Sequence, residues 1–157
     1  MNAPTPNHLI MEQRLSLITL AANDLDAMRN FYEQKLGWIP EAQNKDIVFY
    51  KLNGFLFSIT ERKFLAELIG VSSEGSGFRG VTFAYNVPTE KEVTDIYDRL
   101  KSNGVTILKE PTVPPFGGLF FYFADVEGNI LEVAYNTFIP LDDQLNATGH
   151  KSIDHIL

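Results

Sequence analysis

Apolar and polar positions change period several times along the chain, and each change marks an element. Residues 14–22 (RLSLITLAA) alternate and predict a strand. From Asp24 the period becomes helical, with Leu25, Met28, Phe31, Tyr32 and Leu36 on one stripe. Asp24 is suited to cap this helix, because its carboxylate accepts from the free backbone N–H groups of the first turn. Gly37 is suited to end it in the left-handed conformation. Strands are predicted next at 38–42, 46–52 and 55–61, and Asn53-Gly54 between the last two is a two-residue hairpin signal. A short helix over about 63–68 closes this half.

Ser72-Ser-Glu-Gly-Ser-Gly77 reads as a linker, and beyond it the order repeats. Residues 80–87 (GVTFAYNV) predict a strand. Thr89 with Glu92 three residues on forms a capping-box pattern. Val93, Ile96, Tyr97 and Leu100 give the buried stripe of the helix that follows, and Asn103-Gly104 ends it. Strands are expected at 105–109, 119–124 and 130–136, the last two joined by the turn Asp125-Val-Glu-Gly-Asn129. Each half therefore reads strand, helix, strand, strand, strand, which points to two similar α+β modules packed together.

Composition narrows the possibilities. A chain of 157 residues, 45% hydrophobic and 12% aromatic, can bury one sizeable core and is expected to form one domain. The net charge of −7, with no run of Lys and Arg, argues against nucleic acid or an anionic membrane as the main partner. No cysteine is present, which excludes disulfides, thiolate metal sites and a cysteine nucleophile. Residues 1–13 have neither a basic start nor a long apolar stretch, so they read as a loose leader, not a signal peptide. No window reaches the length of a membrane span, and a cytoplasmic location is expected. Residues 138–157 are a polar tail whose Phe138, Ile139, Leu141 and Ile153 are available for packing.

The candidate chemistry starts at Glu132, a single carboxylate among Ile130, Leu131, Val133 and Ala134. A charge inside an apolar strand is costly unless it meets solvent, a cavity or a partner. It either serves a pocket or pairs with Arg14, Arg79 or a lysine. Asn86 either lines a cavity or satisfies backbone groups where the strand ends before Pro88. Phe116-Gly117-Gly118 follows Pro114-Pro115. Its glycines allow backbone to approach a ligand that Phe116 would cover, or they make a rigid loop. Tyr122 and Tyr135 carry hydroxyls that need partners if buried, and they are the tyrosines expected in a pocket.

The doubled βαβββ order resembles the vicinal oxygen chelate superfamily of glyoxalases, bleomycin resistance proteins, ring-cleaving dioxygenases and epimerases. Three stretches carry the resemblance: Asp24-Leu-Asp-Ala-Met-Arg-Asn-Phe-Tyr-Glu-Gln-Lys-Leu-Gly37, residues 87–104, and most specifically Phe121-Tyr-Phe-Ala-Asp-Val-Glu-Gly-Asn-Ile-Leu-Glu-Val-Ala-Tyr-Asn136. It implies a curved mixed sheet around a cavity, built by modules at about 14–70 and 79–137, and a homodimer. In metal-dependent members each module gives two ligands, usually His or Glu. Those positions fall here on Leu17, on Phe57 or Ser58, on Val81 or Thr82, and on Glu132. Only Glu132 is of ligand type, and His8, His150 and His155 lie in the leader and tail. A hard divalent ion needs several oxygen or imidazole ligands. The resemblance thus implies a protein without metal or other cofactor that binds a small, partly apolar organic molecule. Ser58 and Thr82 would leave room where a metal would sit, joining Glu132, Tyr122, Tyr135, Phe116 and Asn86. The alternative is a metal-dependent lyase or ring-cleaving dioxygenase with a degenerate site using Glu132. A third reading is an interaction module without small-molecule chemistry.

Overall fold

The structure is a computed structural model that describes residues 17–69, 72–77, 79 and 81–152, with Ile69 described by its backbone alone. The leader, the expected strand positions 14–16 and 80, and Ile153 lie outside the described residues. The first module holds β1 (Leu17–Ala22), α1 (Leu25–Asn30), β2 (Ala42–Gln43), β3 (Ile47–Lys51), β4 (Leu56–Glu61) and α2 (Arg62–Ile69). The second holds β5 (Thr82–Asn86), α3 (Glu90–Ser102), β6 (Thr106–Thr112), β7 (Leu119–Ala124) and β8 (Ile130–Tyr135). Each module folds its own mixed sheet, in the orders β1-β4-β3-β2 and β5-β8-β7-β6. In each the first strand runs parallel to the last and the remaining pairs are antiparallel. The α+β class and the repeat are therefore present, as two sheets that are not joined to each other by strand pairing.

The caps work as their residue types dictate. Asp24 Oδ1 accepts from the Ala27 N–H at 2.9 Å. Thr89 Oγ1 accepts from the Glu92 N–H at 3.2 Å and donates to Glu92 Oε2 at 2.8 Å. The first helix differs from the single α-helix that its periodicity predicts. After Asn30 it widens into a π turn, Phe31–Lys35. The wider turn lets two consecutive aromatics, Phe31 and Tyr32, both point into the core. The strand expected at 38–42 shrinks to Ala42–Gln43, because Pro40 has no N–H to donate and Trp38 turns inward against Tyr32, Tyr50 and Phe57. The strand expected at 105–109 runs on to Thr112 as an edge strand, with register irregularities that accommodate Pro111.

One face of each sheet feeds a single core. Val48, Tyr50, Phe57 and Ile59 enter it from the first sheet, and Phe121, Phe123, Leu131 and Val133 from the second. Phe57 meets Phe83 across the modules with ring centroids 5.9 Å apart. Polar contacts lock the same junction. The buried Tyr32 hydroxyl donates to Asp125 Oδ2 at 3.1 Å. Glu127 accepts from the Asn23 and Asp24 N–H groups at 2.7 and 2.9 Å. Among the described residues no helix is long and apolar enough to cross a membrane.

Candidate functional site

The face of the second sheet turned away from α3 carries the candidate chemistry. Cross-strand register sets Ala84, Glu132, Tyr122 and Lys109 in one row across β5, β8, β7 and β6. Paired residues project to the same side of a sheet, so these four share a face. Glu132 is half-buried and faces Tyr122 directly across the β7–β8 pair, close enough for its carboxylate to perturb the Tyr122 hydroxyl. Burial, then the neighbouring Glu132 carboxylate, push the Tyr122 hydroxyl above the usual tyrosine pKa, so it stays protonated as a donor. Among the described residues Glu132 forms no ion pair with Arg79 or any lysine. Arg14 lies outside the described residues. The Lys109 ammonium instead sits 6.0 Å above the Phe120 ring, which meets Tyr122 edge to face at 5.7 Å.

A cleft of about 330 Å³ opens at the β5 margin of this row, with Ala84 and Asn86 on one side, Asn53 from the first module, and Leu141 and Leu145 from the tail. Ala84 is the register neighbour of Glu132, so the cleft borders the carboxylate's own row. The tail that roofs it is ordered by local bonds. Asp142 accepts from the Gln144 and Asn146 N–H groups, each at 2.9 Å, which holds its carboxyl below the usual aspartate pKa. Asn53 Nδ2 donates to Asn146 Oδ1 at 2.6 Å and ties the tail to the first module.

The structure gathers some of the predicted site residues and separates others. Glu132, Tyr122, Thr82 and Asn86 share the open face, with Thr82 exposed and Asn86 half-buried. Phe116 is exposed and packs edge to face on Phe138 of the tail at 5.8 Å. Gly118 adopts φ 91°, and a Cβ there would overlap the Tyr135 carbonyl oxygen. The glycine is thus required for packing against β8. Tyr135 pairs with Leu119 on the opposite face, packed against the core, so it does not join Glu132. Ser58 belongs to the first sheet, where its fully buried Oγ lies 2.7 Å from Thr19 Oγ1.

The positions where metal-dependent relatives would place ligands hold Leu17, Ser58 bonded to Thr19, Thr82, and Glu132 paired across the strands with Tyr122. Phe57 and Val81, the neighbouring choices, are apolar. Among the described residues no three His, Cys, Asp or Glu side chains cluster as a metal site would require. One carboxylate with hydroxyls does not fit a hard divalent cation.

Two features were missed in the sequence. One is Tyr122 as the partner of Glu132. It was readable, because a turn at 125–129 that pairs Ala124 with Ile130 also pairs Tyr122 with Glu132. The other is a second cavity, of about 370 Å³, on the α3 side of the sheet, bordered by Trp38, Lys35 and Arg99. Arg99 sits beside Leu100 of the buried stripe, a weak signal at best.

The model of the Glyoxalase/Bleomycin resistance protein/Dioxygenase superfamily matches residues 14–133, and the chain belongs to that superfamily. Among solved structures it is similar to a glyoxalase-related enzyme from Fulvimarina pelagi, with 35% identity, 88% of this chain and 99% of that chain covered, and a TM-score of 0.78. A glyoxalase/bleomycin resistance protein/dioxygenase from Nocardioides shares 21% identity over 91% of this chain and 92% of that one, with a TM-score of 0.73. A lactoylglutathione lyase from Agrobacterium tumefaciens shares 20% identity over 80% and 96%, with a TM-score of 0.64. These last two show the fold alone. No curated protein matches the chain.

Proposed function

We infer that the protein binds a small, partly apolar organic molecule on the open face of its second sheet, with Glu132 and Tyr122 as the polar anchor and no metal between them. The observation that carries this reading is Glu132 itself: half-buried, facing Tyr122 across the sheet, and without an ion pair to a cation among the described residues. An ionised carboxylate offers about four acceptor sites. The neighbouring Tyr122 hydroxyl can take one, and the rest favour a ligand that donates N–H or O–H groups. Phe120 and the ring of Tyr122 offer apolar contact, Asn86 and Thr82 offer further polar groups, and the cleft under the tail accommodates the remainder of the molecule. A net charge of −7 favours neutral or cationic ligands at such a site.

In this reading the protein is cytoplasmic and homodimeric. Support for a dimer comes from β1 and β5, each pairing on one side only among the described residues, and from the exposed Leu17 and Val81 at or beside their starts. A thermal-shift screen of organic ligands against wild type, Glu132→Gln and Tyr122→Phe tests the site. Ligands that stabilise wild type and lose that effect in both variants support it. Ligands that stabilise all three equally sink it.

A second reading is supported by the 35% identical relative, which is a glyoxalase-related enzyme. Glu132 within hydrogen-bond reach of Tyr122 forms an acceptor–donor pair able to take a proton from a bound molecule and return one. Mass spectrometry of each stabilising ligand after incubation separates binder from enzyme, since only the enzyme changes the ligand's mass or isomer distribution.

A further inference from the structure

The cavity on the α3 side of the second sheet has chemistry opposite to that of the Glu132 face. Its volume is about 370 Å³; Trp38, Phe123, Leu131 and Val133 form apolar walls, and Lys35 and Arg99 stand at its rim. Among the described residues no Asp or Glu lines it, although the chain as a whole carries a charge of −7. Lys35 Nζ donates to the Asn103 carbonyl oxygen at 2.9 Å, which leaves two of its three N–H donors. Arg99 forms no ion pair with a described residue. The C-terminus of α3 contributes roughly −0.5 charge nearby, which two full positive charges outweigh. Lys35 is carried by the π turn, and such turns are frequent at functional sites.

We propose that this cavity is a second small-molecule site, for an organic monoanion with an apolar body. The carboxylate head lies between Lys35 and Arg99, and the body rests on Trp38, Leu131 and Val133. Charge-assisted hydrogen bonds hold the head, and burial of the body supplies the hydrophobic contribution. Leu131 and Val133 alternate with Glu132 along β8, so one strand serves two sites from its opposite faces. The two sites differ in sign: an acid without a cation on one face, two cations without an acid on the other.

Trp38 is the only tryptophan of the chain and lines this cavity, so its emission reports occupancy directly. Decanoate and 4-phenylbutyrate are titrated into the protein while Trp38 emission is followed, with uncharged 4-phenylbutyramide as the control. Both carboxylates are expected to shift the emission, and the tighter of the two identifies the body as aliphatic or aromatic. Lys35→Gln with Arg99→Gln, both at exposed positions, is expected to weaken carboxylate binding by about tenfold or more and leave the amide unchanged. Ile96→Phe fills the cavity from α3 with both cations kept, and it is expected to remove the response. Glu132→Gln, on the opposite face of β8, is expected to keep the carboxylate-induced Trp38 response while losing the ligands of its own face, so failure here is separable from failure of the Glu132 site. The assignment is overturned if neither carboxylate moves Trp38 emission into the millimolar range. Equal binding of acid and amide, or binding that survives the double substitution or the filled cavity, overturns it as well.

Discussion

Tyr32→Phe removes one hydroxyl and leaves the aromatic packing intact, so it isolates the hydrogen bond that joins the modules. Asp125 is 4% exposed and Tyr32 is fully buried. The Asp125 carboxylate accepts from the Tyr32 hydroxyl at 3.1 Å, the Glu127 N–H at 2.9 Å, the Asn129 N–H at 3.0 Å and Asn129 Nδ2 at 2.7 Å. A hydrogen bond to a charged group contributes about 1.5–3 kcal/mol. Three donors remain after the substitution, so the loss falls at the low end, about 1.5–2 kcal/mol. For a chain of this size that corresponds to a fall in Tm of about 5 °C. Burial, then the charge and hydrogen bond of Asp125, raise the Tyr32 hydroxyl well above the usual tyrosine pKa. A raised folded-state pKa gives stability that is complete below the unfolded value and lost as pH rises toward the folded one. The advantage of wild type over Tyr32→Phe should therefore be constant up to about pH 10 and decline above it. Urea unfolding of both proteins from pH 6 to 11 measures it. A loss below about 0.5 kcal/mol at neutral pH, or an advantage that fades well below pH 9, refutes the bond as a buried junction between modules.

Gly118→Ala should destabilise by about 2 kcal/mol or more, because the residue holds φ 91° and its new Cβ meets the Tyr135 carbonyl oxygen; chemical denaturation reads this, and a neutral result would mean that the loop shifts freely. Glu132→Gln should change stability by less than about 1 kcal/mol, since the shape is kept and no cation among the described residues is left unpaired; a large loss in the same assay would reveal a structural ion pair. Asp142→Ala should speed hydrogen exchange at the Asn146 and Gln144 amides, because it removes the carboxylate that accepts from both. The Asp142 pKa is lowered by those backbone bonds, so in wild type their protection should hold above about pH 4 and fall as pH drops below it.

Much of the fold was readable because local chemistry and global architecture agree. Asp24, Thr89 and the 125–129 turn each carry a side chain that satisfies backbone groups wherever they occur, and the structure uses them as such. The π turn was not readable, since helical spacing of Leu25, Met28, Phe31, Tyr32 and Leu36 suits an α-helix equally well. Only the demand to bury adjacent aromatics decides it. The shortened β2 was foreshadowed by Pro40. For the site, periodicity marked Glu132 as anomalous, and hairpin symmetry around the 125–129 turn would have found Tyr122. Parity along β8 also separates Tyr135 from Glu132, three residues apart and so on opposite faces. The burial of Ser58 away from Glu132 and the α3-side cavity depend on how the modules pack, which no local pattern encodes.

The most direct test of the Glu132 site is calorimetric titration of the best ligand from the thermal-shift screen into metal-analysed protein, with and without chelator, for wild type and Glu132→Gln. The expected result is one binding event that chelator does not alter, in protein without stoichiometric metal, weakened at least about tenfold by Glu132→Gln. Binding that needs nickel, zinc, manganese or iron(II), with Glu132→Gln abolishing metal uptake, would contradict a metal-free organic-ligand site.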